Sequence, residues 1–329
     1  MTKFIQIRLG IVAAVFLVLA GGLAPKPAFA EEFGAWLSAL RAEAEEKGIR
    51  AEILDAALRD VTPLERVIEL DRSQPEFTLT FDDYLSRVVP ASRVNKGRQK
   101  LAENRALLQE VAKRYGVQPR FLVAFWGIET DFGRLTGGFS VIQALATLAY
   151  DGRRSTFFRK ELLAALQILN EEHIAPDAMT GSWAGAMGQS QFMPTTFLGF
   201  AVDHDGDGRQ DIWTSRGDVF ASAANYLAKS GWRGDETWGR AVRLPEGFDS
   251  ALIGLETEKP IGEWQALGVR RANGNDLPKA DLQGSIVLAE GSGGPAFLVY
   301  RNYRAILTWN RSTFFAVAVG TLADRIAGR

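Results

Sequence analysis

Apolar residues along the chain recur mostly at helical spacing, and turn-forming residues cut them into short segments. Between residues 31 and 70, Leu37 and Leu40, then Ile53, Leu54, Ala57 and Leu58, predict short helices punctuated by Pro63 and Pro75. Phe77–Val89 and Val94–Tyr115 predict two more, the second long and charged on one face, with Gly116 as its C-cap. A nearly continuous apolar run, Phe121 to Ile128, predicts a buried helix opened by Gln118 and Pro119. After a loop at Thr136-Gly137-Gly138, Val141–Ala149 and Phe157–Leu169 continue the helical texture, and Pro194 opens another helix. No strand pattern precedes residue 240. From Ala241 the alternation of Val242 and Leu244, then Ser285–Ala289 and Ala296–Tyr300 around Gly291–Gly294, predicts a small strand-containing subdomain. Asn310-Arg311-Ser312 then caps a last apolar helix, Phe314–Ile326, which must pack back on the helical part to bury Val317, Val319 and Leu322. The fold class is thus mainly α (α+β). Its expected divisions are a helical region over 31–115, a core over 116–240, a β-containing subdomain over 241–300 and a C-terminal helix within 301–329.

The first thirty residues fall outside that scheme. Lys3 and Arg8 precede an apolar run from Ile11 to Ala20, and Ala28-Phe29-Ala30 has the small-x-small form of a signal-peptidase site, followed by Glu31. The apolar core is short for a membrane span, so the mature chain is expected to be exported, without a span of its own. Removing residues 1–30 takes away Lys3, Arg8 and Lys26 and no acid, which changes 38 basic against 39 acidic residues to 35 against 39. A net charge of about −4 gives no reason to expect a nucleic-acid partner.

There is no cysteine, hence no disulfide framework, no thiol chemistry and no lipid-attachment site, and only His173 and His204 represent histidine. That count speaks against a histidine-rich metal site or a Ser-His-Asp triad. Acids, amides and aromatic rings are left to carry the chemistry. Among the acids Glu129 stands out. It follows Trp126 by three residues, Phe125 by four and Leu122 by seven, so it shares a helix face with three large apolar groups, where desolvation raises a carboxyl pKa towards that of a general acid. The same residues also allow Glu129 to sit solvated at the helix mouth or paired with Arg134.

Two later stretches add to this. In Gly181–Phe197, GSWAGAMGQSQFMPTTF, the small residues leave the main chain bare enough for a ligand to approach, or for a tight helix crossing, and Gln189, Ser190 and Gln191 add neutral donors and acceptors. Asp203–Thr214, DHDGDGRQDIWT, places oxygen ligands at loop positions 1, 3 and 5 with Asp203, Asp205 and Asp207. Gly208 stands at 6, the Arg209 carbonyl at 7 and Asp211 at 9. Thr214 holds position 12, where a bidentate glutamate is expected. Asp218 either closes a longer loop or caps the helix Val219–Lys229, on which Asn225 and Tyr226 lie on adjacent faces. The expected ion is a structural Ca2+, with no cofactor for catalysis. Seven of the eight tryptophans lie between residues 126 and 309; core packing explains most, and a sugar groove uses the same rings.

Taken together, Gly127-Ile128-Glu129-Thr130-Asp131-Phe132-Gly133, Gly181–Met193, Asp203–Gly208, Ala224-Asn225-Tyr226-Leu227 and Thr308-Trp309-Asn310-Arg311-Ser312 resemble, in order, the motifs of the lytic murein transglycosylase B family, glycoside hydrolase family 103. The similarity runs from about Phe77 to Ile326. It implies a lysozyme-like catalytic core and cleavage of the β-1,4 bond between N-acetylmuramic acid and N-acetylglucosamine in peptidoglycan, with a 1,6-anhydromuramyl product. It implies Glu129 as the catalytic residue and peptidoglycan glycan strands as the partner; the export segment predicts a periplasmic protein, and a monomer is expected. Ser182, Gln191, Asn225, Tyr226 and Asn310 fall in the motifs that line the family's groove. A hydrolytic muramidase and a non-catalytic glycan-binding scaffold are the competing readings.

Overall fold

The computed structural model describes residues 27–73, 79–291 and 293–328. The expected signal segment lies outside these residues except for its last four, which open helix α1 (Pro27–Glu46). Helices α2 (Ala51–Leu58), α3 (Glu65–Ser73) and α4 (Phe81–Val88) follow. The expected start of α4 at Phe77 lies outside the described residues; the helix begins at Phe81 because the Thr80 hydroxyl caps it, accepting from the Asp83 amide.

The long helix expected over Val94–Tyr115 is two helices, α5 (Ala91–Glu103) and α6 (Arg105–Tyr115). Asn104 breaks it with φ −108° and ψ 18°. Its amide donates to the Lys100 carbonyl at 2.8 Å while its oxygen accepts from Arg216 at 3.3 Å, so a side chain competes locally with the helical ladder. Gly116, left-handed at φ 72°, ends α6 as expected.

Helix α7 (Pro119–Thr130) is buried along nearly its whole length, from Arg120 to Gly127 and again at Thr130. It stops abruptly. Asp131 and Phe132 take left-handed φ values of 48° and 62°, uncommon for residues with side chains. The turn is held by Arg134, which donates to Asp131 at 2.7 Å, by Lys96 at 3.1 Å, and by the Phe132 ring edge-on to Trp126 at 5.6 Å. Glu129 is thereby fixed in the last turn of a rigid helix.

Two short strands, β1 (Phe139–Ser140) and β2 (Thr180–Gly181), pair antiparallel, which corrects the expectation of no strand before residue 240. Helices α8 (Val141–Asp151) and α9 (Ser155–Asn170) lie between them. Then come α10 (Pro194–Phe200) and α11 (Arg216–Lys229). The start of α10 is capped from a distance: the buried Glu161 carboxylate on α9 accepts from the Thr195 amide at 2.9 Å and its hydroxyl at 2.7 Å.

The small subdomain is an antiparallel sheet of β3 (Gly239–Arg243), β4 (Lys259–Pro260), β5 (Arg270–Arg271), β6 (Gln283–Leu288) and β7 (Ala296–Val299) in the order β4-β6-β7-β3-β5, with the short helix α12 (Ile261–Ala266) against it. Helices α13 (Arg301–Trp309) and α14 (Thr313–Ile326) complete the chain. Val317, Val319 and Leu322 are fully buried on α14, as expected. A Cβ on Gly320 would lie 2.2 Å from the Trp238 ring, so only glycine lets that helix seat against the subdomain.

Three apolar cores result, and they do not follow the expected divisions. One gathers α4–α7, α11, α13 and α14; a second gathers α1–α3 with α8–α10; a third lies under the sheet. The helical region over 31–115 is thus shared between two cores. Tyr226 and Trp309 pack against both.

Candidate active site

At this junction stands Glu129. One flank remains open, while its carboxyl group is enclosed by Phe125, Trp126, Phe220 and Trp309 with Gln189 and Ser190. Burial pushes the carboxyl up to about 7, and the hydrogen bond from the Trp309 indole, 2.8 Å from Oε1, opposes that rise. Arg134 does not pair with it. That guanidinium is taken by Asp131, whose carboxyl, although burial works against its charge, is held below the ordinary range by Arg134 and Lys96. No second carboxylate lines the cavity around Glu129 among the described residues.

Sequence alone gives Trp309 no role beyond its place in a motif. Its ring lies 4.6 Å from Phe125, 5.2 Å from Phe192 and 5.0 Å from Tyr226, so three elements fix the indole that meets the carboxylate. Below it, Trp126 Nε1 donates to Gln189 Oε1 at 2.8 Å, and Gln189 Nε2 donates to the Trp213 carbonyl at 2.7 Å. Thr130 Oγ1 donates to the Gln189 carbonyl at 3.0 Å and accepts from the Gly133 amide at 3.1 Å.

The small residues of Gly181–Gly188 serve the chain's own close approaches. A Cβ on Gly185 would lie 2.4 Å from Leu145, and one on Gly188 2.7 Å from the Ile212 carbonyl. Ser182 Oγ accepts from the Ala186 amide at 3.0 Å, leaving its O–H as a donor. Gln191, left-handed at φ 49°, donates through Nε2 to the Gly188 and Thr136 carbonyls and leaves Oε1 unused. Asn225 donates to the Phe200 carbonyl at 2.8 Å, Tyr226 Oη to the Thr308 carbonyl at 2.7 Å, and exposed Asn310 accepts from the Ser312 amide at 3.0 Å.

In the acidic loop, Asp203, Asp205 and Asp218 bring carboxylate oxygens within 4.8 Å of one another. Asp218 is fully buried and accepts from the amides of His204 at 2.8 Å and Asp211 at 2.7 Å. Burial pushes its carboxyl up, backbone donors oppose this, and Asp205 and Asp203 add to the rise. The cap of α11 is Ser215, whose hydroxyl accepts from the Asp218 amide. Asp207 accepts from the Arg209 amide, and Asp211 from the amides of Trp213 and Thr214; neither belongs to the converging three.

A mainly helical core with a lone half-buried glutamate at the end of its central helix, flanked by a small antiparallel sheet, is the fold class of the lysozyme-like transglycosylases. Residues 32–324 match the transglycosylase SLT domain, and the chain belongs to that family. It is 34% identical over 226 residues to the membrane-bound lytic murein transglycosylase B of Escherichia coli, an alignment that takes in 65% of this chain and 58% of that protein's length. SltB3 from Pseudomonas aeruginosa, solved in complex with NAG-anhNAM-pentapeptide, superposes with a TM-score of 0.87 at 49% identity, over 90% of this chain and 80% of that one. The E. coli lytic transglycosylase Slt35, solved in complex with calcium, gives 0.75 at 27% identity, over 93% and 95%. No helix among the described residues is long and apolar enough to cross a membrane.

Proposed function

We propose that the protein is a lytic murein transglycosylase of the periplasm, cutting the β-1,4 bond between N-acetylmuramic acid and N-acetylglucosamine and closing a 1,6-anhydro ring. The observation that carries this reading is the Glu129 carboxyl, pushed up to about 7 by burial and held by the Trp309 indole, with no second carboxylate among the described residues packed around it. Glycosidases that act on water generally use two carboxyl groups, ~5–5.5 Å apart when retaining or ~6.5–9.5 Å when inverting. One suffices when the substrate supplies both nucleophiles.

Protonated Glu129 gives its proton to the glycosidic oxygen as the bond from C1 breaks, and the acetamido oxygen closes on C1 from the same sugar. The Glu129 carboxylate then takes the proton from the C6 hydroxyl while that oxygen attacks C1 and the acetamido bond opens. Glu129 ends protonated and no water is consumed. Trp309 holds Oε1, which leaves Oε2 to carry the proton in both steps. Ser182, Gln191, Asn225, Tyr226 and Asn310 each retain a ring face, hydroxyl or amide function to offer the glycan strand from the groove, which a single chain completes.

Mass spectrometry of a digest of purified peptidoglycan tests the reaction. The expected product ends in anhydromuramic acid, lighter by one water than a reducing end. Reducing-end muramic acid alone would make the protein a hydrolase, and binding without any product would make it a scaffold.

We propose further that Asp203, Asp205 and Asp218 hold a structural Ca2+, with the Arg209 carbonyl at the loop's seventh position. An all-oxygen set of three converging carboxylates suits that ion, and the Slt35 relative, solved in complex with calcium, supports the choice. Asp218 takes the part that Thr214 leaves open at position twelve. Calcium at a hundredfold excess over its Kd is expected to stabilise the fold by about 2.7 kcal/mol, a rise in melting temperature of several degrees that EDTA reverses. Identical melting curves in calcium and EDTA would refute the site.

A further inference from the structure

The inner face of the small sheet packs Val242, Ile286, Leu298 and Tyr300 against Trp264, and it also carries two arginines. Register fixes them there. Arg240 stands opposite Leu298, and Arg271 stands opposite Val242, so both share the face of those buried partners. They are diagonal neighbours across β3 and β5, close enough for long side chains to feel each other. Both are half-buried.

Arg240 Nε donates to Tyr300 Oη at 2.9 Å, and its guanidinium lies 5.7 Å from the centre of that ring. The Nε–H of Arg271 is buried without an acceptor. Among the described residues neither guanidinium forms an ion pair with a carboxylate, whereas Arg270, next in sequence and on the opposite face, pairs with Asp276 at 3.4 Å. Burial pushes the Tyr300 phenol up, and Arg240 and Arg271 both oppose it, so the two charges reach the same oxygen.

Two like charges beside an apolar core repel, and a buried N–H without an acceptor is costly to keep. An oxyanion seated between them would supply the missing negative charge and the missing acceptor at once, in the planar geometry that guanidinium groups match. We propose that Arg240, Arg271 and the Tyr300 hydroxyl form a receptor for an oxyanion, a carboxylate or a phosphate group, apart from the Glu129 groove. The Tyr300 oxygen accepts from Arg240 and is free to donate its own proton to the bound anion. Tyr300 also immediately precedes α13, the helix that ends in Trp309. The receptor does not depend on the reaction proposed for Glu129.

Calorimetric titration of the full chain at constant ionic strength tests this, with inorganic phosphate, acetyl-alanyl-alanine and the same dipeptide as its C-terminal amide. Phosphate or the dipeptide acid is expected to bind and the amide not to. Which of the two anions binds more tightly separates a phosphorylated ligand from a peptide terminus. Arg271→Gln and Arg240→Gln should each weaken binding at least tenfold, while Glu129→Gln binds as the parent does. In chloride alone Arg271→Gln is expected to melt no lower than the parent, because a repulsion has been removed. The proposal is overturned if neither anion binds the parent, if the amide binds equally well, if Arg271→Gln binds unchanged, or if that variant melts lower in chloride, which would make Arg271 a structural residue.

Discussion

Glu129→Gln is expected to lower the rate of glycan cleavage by about 10²–10⁴-fold, the usual contribution of a positioned proton donor, with the folded structure retained. The amide keeps the shape of the side chain and the oxygen that meets Trp309 Nε1, yet has no proton to give. Stability should move the other way. The native carboxyl holds its proton up to about pH 7, whereas the unfolded chain releases it near ~4.3. The native state therefore binds more protons between those values, and stability falls as pH rises through that window. Above it the ionised group is a full burden on the fold, and removing it should stabilise the protein by roughly 1–3 kcal/mol at pH 8 and by little near pH 4. Thermal melts at both pH values, beside a cleavage assay, check the pair of expectations. A variant that melts lower at pH 8 would show that Glu129 holds the structure rather than the chemistry.

Trp309→Phe is expected to slow cleavage about tenfold and to move the alkaline limb of kcat/KM to higher pH. The phenyl ring still fills the space between Phe125, Phe192 and Tyr226, but the donor to Oε1 is gone. That donor favours the charged carboxylate, so its loss raises the Glu129 pKa, and the protonated acid persists further into alkaline solution. A lower rate with an unmoved limb would mean that the indole only packs.

The central helix was legible because its signal is local: Gln118-Pro119 at the start, an unbroken apolar run, and an acid spaced from Leu122, Phe125 and Trp126. The partner of that acid was not legible, since Trp309 lies 180 residues away and carries no spacing relation to it. The break at Asn104 escaped for a similar reason, because apolar periodicity runs through it and the bond from Arg216 comes from across the fold. Strands of two residues, β1 and β2, are too short to alternate. The acidic loop was legible as a concentration of aspartates at alternate positions. Which aspartates converge did not show, because Asp218 reaches the loop only through the way α11 docks, where it accepts from the His204 and Asp211 amides. The bare backbone of Gly181–Gly188 was readable as a need for close approach, though not as to what approaches: Leu145 and Ile212 of the same chain.

Gln189 carries one amide with two opposite ends, and each end has a fixed counterpart: an indole that can only donate and a carbonyl that can only accept. The amide can therefore stand in one sense only. Turning it over would set N–H against N–H at Trp126 and oxygen against oxygen at Trp213. The aspartate loop and the helix of Glu129 thus read each other through a polarity, much as a keyed plug admits one orientation. A sequence that shortened or reseated the loop so that the Trp213 carbonyl turned away would free the amide to invert, and the first group to lose its acceptor would be the indole three residues before the acid.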